Sequence, residues 1–290
     1  MYEVLIVAII LLFLSVIIHQ VEGTSIKKYN TKYSNGGFIF IAIVSLFSML
    51  FFAITDKNGL DFSLKIIPYA VAAGIFYSSA SVLTFMAYGC GSFVITNLIL
   101  SYGLIFTIGF GVFVLKEDLS IFTYIGLIIM MISLYLSRGT QRESEINISA
   151  KWLICAVLSA LGSGMFAVTQ KIQQLAFDNL CTNEFMVIAL GFSAITLFII
   201  GLKKDGKNLK HILKNGFPYA SLAGVSNGLT NALSLYVYTL IPISIVTPTS
   251  AGIKIIVSFI ISKLIFKENF VKRQIVSVIL GTAAVVFLNL

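Results

Sequence analysis

Ile67-Pro68-Tyr69-Ala70-Val71-Ala72-Ala73-Gly74 and Phe217-Pro218-Tyr219-Ala220-Ser221-Leu222-Ala223-Gly224 begin two apolar runs, with their prolines 150 positions apart. The same shift lays Leu83 on Leu233 and Tyr88 on Tyr238, and it pairs Gln20 with Gln170 and Lys57-Asn58 with Lys207-Asn208. One more residue of shift brings Thr96 onto Thr247 and Lys116-Glu117 onto Lys267-Glu268. Apolar letters coincide by chance in a chain this rich in them, so the Pro-Tyr-Ala and Lys-Glu agreements carry most of the weight. The chain reads as a duplicate of itself.

Around these runs lie 290 residues, 58% hydrophobic and 11% charged, with mean hydropathy +0.98. A soluble domain carries about 25% charged residues. Apolar stretches of roughly 18–25 residues recur along the whole length, enough for a helix to cross a bilayer core of about 30 Å. The alternating segments of about ten residues that mark a membrane β-barrel are absent from the sequence. The net charge of +8 sits in short connections between apolar runs, which reads as membrane topology and not as a nucleic-acid-binding face. Val4–Ile18 follows Glu3 rather than a basic segment, so it reads as a retained span and not as a secretory signal.

Ten spans are expected, at about 2–22, 37–55, 64–87, 92–115, 120–137, 150–173, 183–202, 216–239, 243–265 and 272–290. Residues 1–140 and 150–290 then form two five-helix repeats. Five is odd, so the second repeat enters the membrane in the opposite sense. The fold class is all-α integral membrane, with ten transmembrane helices in two inverted repeats. Inverted repeats of this kind are a transporter architecture, with the solute site between the halves.

The motifs at the ends of the fourth and ninth spans sharpen this. They are Val114-Leu115-Lys116-Glu117-Asp118, followed by Gly126, and Ile265-Phe266-Lys267-Glu268-Asn269, followed by Gly281. With the five-plus-five arrangement they resemble the drug/metabolite transporter superfamily, in its EamA-like ten-helix branch. Both copies carry Lys where the usual pattern has Gly before the Glu, and Ser277 stands where the first copy has Gly126. The resemblance implies a multi-pass cell-membrane permease or exporter for a small solute such as an amino acid, sugar, nucleotide-sugar, amine or drug.

Lys254 lies well inside the ninth span, in Pro248-Thr249-Ser250-Ala251-Gly252-Ile253-Lys254. A charge at mid-membrane costs about 2.5–3.5 kcal/mol, so it faces a cavity or a partner. It is expected to meet a carboxylate or phosphate of the solute, or else to pair with Glu22 or Asp178 near span ends. Pro248 removes a backbone hydrogen bond and is expected to open the helix among Thr247, Thr249 and Ser250. Asn227 and Asn231 are four apart and share a helix face; their counterparts by the repeat are Tyr77 and Ser81. With Asn97 and Thr247, the residues Tyr77, Asn227, Asn231 and Lys254 are expected to line a cavity built from the third, fourth, eighth and ninth spans. Interhelical hydrogen bonding explains the two asparagines equally well.

Gln20, Gln170 and Lys171 stand near span ends, as gates or interfacial residues. Glu117 and Glu268 are expected to act as turn and cap residues before the fifth and tenth spans. Trp152 fits an interfacial anchor. Cys90, Cys155 and Cys181 read as buried small apolar residues, and His19 and His211 stand alone, so the sequence calls for no metal and no other cofactor.

An integral membrane enzyme would need an acid, base or nucleophile set, and neither HxxxH nor a Ser-His-Asp combination occurs. A lipid-headgroup flippase or scramblase would use the same inverted architecture and remains the alternative. No GxxxxGK[ST] run is present, so coupling falls to a gradient or to exchange. No Asp or Glu is expected at the centre of a span, so facilitated diffusion, exchange and coupling through Glu22 are the open choices. Expected partners are a small-molecule solute and membrane lipids, without nucleic acid, and a monomer and a homodimer are both open. Fifteen Lys and Arg residues fall in odd-numbered connections and four in even-numbered ones, which places both termini outside; the resemblance implies both inside.

Overall fold

With no water inside a bilayer to receive backbone N–H and C=O groups, a long apolar run satisfies them within itself by forming a helix. The computed structural model describes residues 2–33, 36–56, 59–60, 63–91, 93–136, 150–266 and 272–288, and no strand occurs among them. The first half holds α1 (Tyr2–Tyr33), α2 (Gly37–Thr55), α3 (Ile67–Cys90), α4 (Phe93–Ser101), α5 (Leu104–Gly109) and α6 (Ile121–Leu136). The second holds α7 (Ala150–Ala176), α8 (Thr182–Lys204), the single turn α9 (Leu209–His211), α10 (Phe217–Leu240), α11 (Ile243–Ile261) and α12 (Lys272–Leu288).

Among the described residues, six stretches are long and apolar enough to cross a membrane: Leu5–Tyr33, Gly37–Thr55, Leu64–Cys90, Ala150–Ala176, Thr182–Lys204 and Ile243–Ile265. Ile99–Val114 and Ile121–Ser133 are apolar but shorter. α10 has the length, but Ser226, Asn227, Thr230, Asn231 and Ser234 keep it out of that group.

Three local expectations change. The first helix does not end near residue 22 but continues to Tyr33. The polar residues of its second half find partners on α3: Asn30 Nδ2 donates to the Phe85 carbonyl at 2.6 Å, and Lys27 Nζ donates to the Gly91 carbonyl at 3.0 Å. Tyr29 stacks on Phe40 of α2 with ring centroids 4.4 Å apart. Gln20 and Glu22 are therefore buried mid-helix rather than placed near a span end.

The fourth span is not one helix. It breaks at Tyr102–Gly103 into α4 and α5 and closes with a π-helical turn at Phe110–Val114. Tyr102 N donates to the Ile99 carbonyl and Gly103 N to the Leu100 carbonyl, the three-residue spacing of a tightened turn. The cause is a close crossing. A Cβ on Gly103 would lie 2.5 Å from the Ala160 carbonyl oxygen of α7, and one on Gly164 would lie 2.5 Å from the Gly103 carbonyl oxygen.

The break expected at Pro248 does not occur. α11 runs unbroken through that residue, because one missing N–H removes one bond while the turns on either side keep theirs.

α1 packs on α10 and α3 on α7, α2 packs on α8, and α6 packs on α12. Further contacts join α2 to α10 and α3 to α8. Small residues allow this approach. A Cβ on Gly74 would come within 2.8 Å of the Ala189 carbonyl oxygen of α8, and one on Gly224 within 2.5 Å of the Val44 carbonyl oxygen of α2. Between α2 and α8, the hydroxyls of Ser45 and Ser193 meet at 3.1 Å.

Trp152 is not an interfacial anchor: it is buried, and its Nε1 donates to Thr96 Oγ1 at 3.2 Å, holding α7 to α4. Cys155 is buried as expected of a small apolar residue, but Cys90, at the end of α3, is exposed and Cys181 is half-buried.

Candidate functional site: a polar chain between paired cavities

Two adjoining cavities of about 220 and 210 Å³ lie inside the bundle. Their walls share His19, Leu100, Ser163, Thr230 and Lys254. The first extends past Ser101, Thr107, Tyr238, Thr247 and Ser250, and the second past Glu22, Tyr77, Ser81, Tyr88, Asn227 and Asn231. α1 and α7 thus contribute walls beside the third, fourth, eighth and ninth spans.

The polar residues form one connected chain across these cavities. Lys254 Nζ on α11 lies 3.2 Å from His19 Nε2 on α1. The opposite ring nitrogen, His19 Nδ1, lies 3.2 Å from Glu22 Oε2. Asn227 Nδ2 on α10 donates to Glu22 Oε1 at 3.0 Å. Asn227 Oδ1 in turn accepts from Ser48 Oγ at 2.8 Å, from Tyr77 Oη at 3.1 Å and from Asn231 Nδ2 at 3.1 Å. Gln170 Nε2 on α7 donates to Asn231 Oδ1 at 3.2 Å. The hydrogen bonds therefore join α11, α1, α10, α2, α3 and α7.

Burying a charge is expensive unless it is paired and hydrogen-bonded. The cation of Lys254 and the carboxylate of Glu22 meet this need through the imidazole between them. Glu22 is thus a carboxylate inside the bundle, where the sequence led us to expect none. The histidine that read as solitary is the joint of the chain. Its signal was present in the sequence: His19 and Glu22 are three apart and share a helix face. Asp178 stays out of the chain, in the turn after α7, with φ 51°.

The other expected site residues divide. Tyr77, Asn227, Asn231, Thr247 and Lys254 line the cavities. Thr247 is held by a 2.7 Å bond from Thr107 Oγ1 and itself donates to the Ile243 carbonyl at 3.0 Å. Asn97 borders neither cavity; it is buried, accepts from Tyr88 Oη at 2.8 Å, and leaves its Nδ2 without a hydrogen-bond partner among the described residues. Pro248 sits buried in α11 between the cavity-lining residues Thr247 and Ser250 and is not itself on a cavity wall.

Glu117 is a cap, but not of the helix that follows it. It accepts from Ile243 N at 3.3 Å and from Ser244 N at 3.2 Å, and it also binds Ser244 Oγ, so it closes the start of α11 in the other half of the chain. Lys116, with φ 53°, turns the backbone to bring it there. A carboxylate at a helix start satisfies N–H groups that have no intrahelical acceptor. Glu268 lies outside the described residues. Gln170 and Lys171 are within α7 rather than at its end, and Lys171 Nζ donates to the Tyr238 carbonyl at 2.7 Å.

A solved crystal structure of a protein resembles the whole chain, covering 97% of it and 96% of its own length with TM-score 0.66 at 11% sequence identity. At that identity the likeness speaks for the fold alone. A comparison with curated proteins found no match. Residues 150–290 match the model of the EamA-like transporter family, so this part of the chain is an EamA-like domain of the drug/metabolite transporter superfamily, which points to a membrane transporter.

Proposed function

We propose that this protein is a secondary carrier of the cell membrane for a small polar metabolite bearing a carboxylate or phosphate, such as an amino acid. It works by alternating access between two inverted five-helix repeats, residues 1–140 and 150–290. The observation that carries the reading is the position of Lys254, a cation shared by the walls of two adjoining cavities.

The repeat reading draws support from the packing. If the first, second, third and fifth spans correspond to the sixth, seventh, eighth and tenth, then the α1–α10 contact has its counterpart in α3–α7, and the α2–α10 contact in α3–α8. The α2–α8 and α6–α12 contacts are each their own counterpart. Helices related in this way rock about the solute without remaking every contact.

The test is transport into proteoliposomes from a panel of amino acids, dicarboxylates and phosphorylated metabolites. A transported anion or zwitterion whose flux falls at least about tenfold in Lys254→Met, with little change in melting temperature, supports the reading. Lys254→Arg should rescue poorly, because a planar fork does not replace a compact ammonium. Flux unchanged in Lys254→Met, or headgroup translocation in the same vesicles without solute flux, refutes it.

A further inference from the structure

The contacts of His19 do more than neutralise two charges. An ammonium has hydrogens to donate and no acceptor, so a charged Lys254 requires His19 Nε2 to carry a lone pair. The ring proton is then on Nδ1, donated to Glu22. The three groups sum to zero charge, with a neutral imidazole between a cation and an anion. The His19 side chain is 35% exposed, against 10% for Glu22, so it is the member of the pair more open to cavity water.

A proton arriving at Nε2 takes the position of the hydrogen that Lys254 donates. The ring becomes an imidazolium, its Nδ1–H still held by Glu22, and Nε2–H now points at the ammonium. The contact between Lys254 and His19 turns from attraction to repulsion. Lys254 must leave, and both cavities lie beside it. The three groups then sum to +1, an excess of positive charge that draws an anion to Lys254.

We infer that His19 is a proton-binding site that couples proton uptake to the capture of an anion by Lys254, so that this carrier moves its solute together with a proton. The inference rests on the reading of Lys254 as the anion-binding residue. By linkage, if protonation favours the anion, the anion favours protonation to the same degree.

The surroundings suit this role. Tyr77 and Tyr88 of α3 border the second cavity, and Tyr238 of α10 borders the first. α4, α5 and α7 present Leu100, Ser101, Leu104, Thr107, Ser163 and Phe166, with no ionisable side chain among the described wall residues. Among the described wall residues of the two cavities, His19 is the one imidazole, a side chain whose ring nitrogens both donate and accept.

The experiment is calorimetric binding of sulfate to the purified full chain, repeated in buffers of different ionisation enthalpy, at about pH 6 and about pH 8. Sulfate does not itself titrate there, so any proton taken up comes to the protein. Wild-type protein should bind sulfate at least about tenfold tighter at the lower pH, with about half to one proton taken up per sulfate near neutrality. His19→Gln should still bind sulfate, but with less than about twofold change between the two pH values and no uptake. Should His19→Gln not fold, Glu22→Gln takes its place: it removes the negative charge that stabilises the imidazolium, and uptake should fall by at least about half.

Binding without proton uptake in the wild type overturns the inference and leaves the anion reading standing. Uptake that persists in His19→Gln also overturns it, by moving the proton to Lys254 or Glu22. Absence of sulfate binding, or binding unchanged in Lys254→Met, overturns the anion reading itself and the inference with it.

Discussion

Tyr77 Oη donates to Asn227 Oδ1 at 3.1 Å, and the two residues stand 150 positions apart, the same shift at which the Pro-Tyr-Ala motifs coincide. Positions that the duplication pairs therefore touch each other. Residues related by a two-fold axis meet where they lie on it, so under the proposed inverted-repeat arrangement this bond would lie on the axis between the halves. Asn227 also receives Ser48 and Asn231 and reaches Glu22, which makes it the most connected side chain of the polar network.

That asymmetry between the two partners is measurable. Asn227→Ala should lower thermal stability by more than Tyr77→Phe does, because it takes away the donor to Glu22 Oε1 and the acceptor of two hydroxyls, whereas Tyr77→Phe removes one donor. Costs of about 1–3 kcal/mol against about 1 kcal/mol are expected, read as melting temperature in detergent. Equal losses would show that Asn227 is not the hub.

Gly74→Ala and Gly224→Ala should each destabilise by about 1–3 kcal/mol, since the new Cβ meets a backbone carbonyl of the facing helix, which cannot move aside as a side chain would. Gly109→Ala is the control. Nothing lies within 4 Å of a Cβ there, and the change should be neutral or slightly stabilising in a thermal-shift series. A Gly109 variant as damaged as the other two would contradict the packing described.

Glu117→Ala should cost about 0.5–2 kcal/mol, the range of a lost helix cap, although the residue precedes α6 in sequence. Hydrogen exchange locates the effect. Protection should fall at Ile243 and Ser244, at the start of α11, and not at the start of α6. The opposite pattern would mean that Glu117 caps the helix next to it after all.

Cysteine labelling checks the topology. An impermeant maleimide should reach exposed Cys90 and half-buried Cys181 while sparing buried Cys155. Under the ten-span reading with both termini outside, the connection holding Cys181 faces outward and the end of α3 faces inward. Intact cells should therefore label Cys181, and Cys90 should react only in inverted vesicles. Labelling of both from one side would exclude that topology.

The class of fold was legible in the residues alone. Run length and composition demand membrane helices wherever the neighbours sit, and the Pro-Tyr-Ala repeat survives in the letters because the glycines and alanines behind it hold equivalent helix contacts. Lys254 was legible too, since a lone charge in an apolar run has few explanations. What only the tertiary structure decided is where helices stop and which polar groups meet. Pro248 carries the strongest local signal for a break, yet α11 runs through it. The weaker signal at Tyr102–Gly103 breaks because α7 crosses there at backbone distance. Glu22 read as a terminal residue because polar letters follow it, but those letters are satisfied by α3, so α1 continues and carries the carboxylate inside. His19 and Lys254 are 235 positions apart, and Glu117 and Ser244 are 127 apart. A hydrogen bond acts over about 3 Å of space and is indifferent to sequence distance, so partnerships of this kind exist only once the helices have packed.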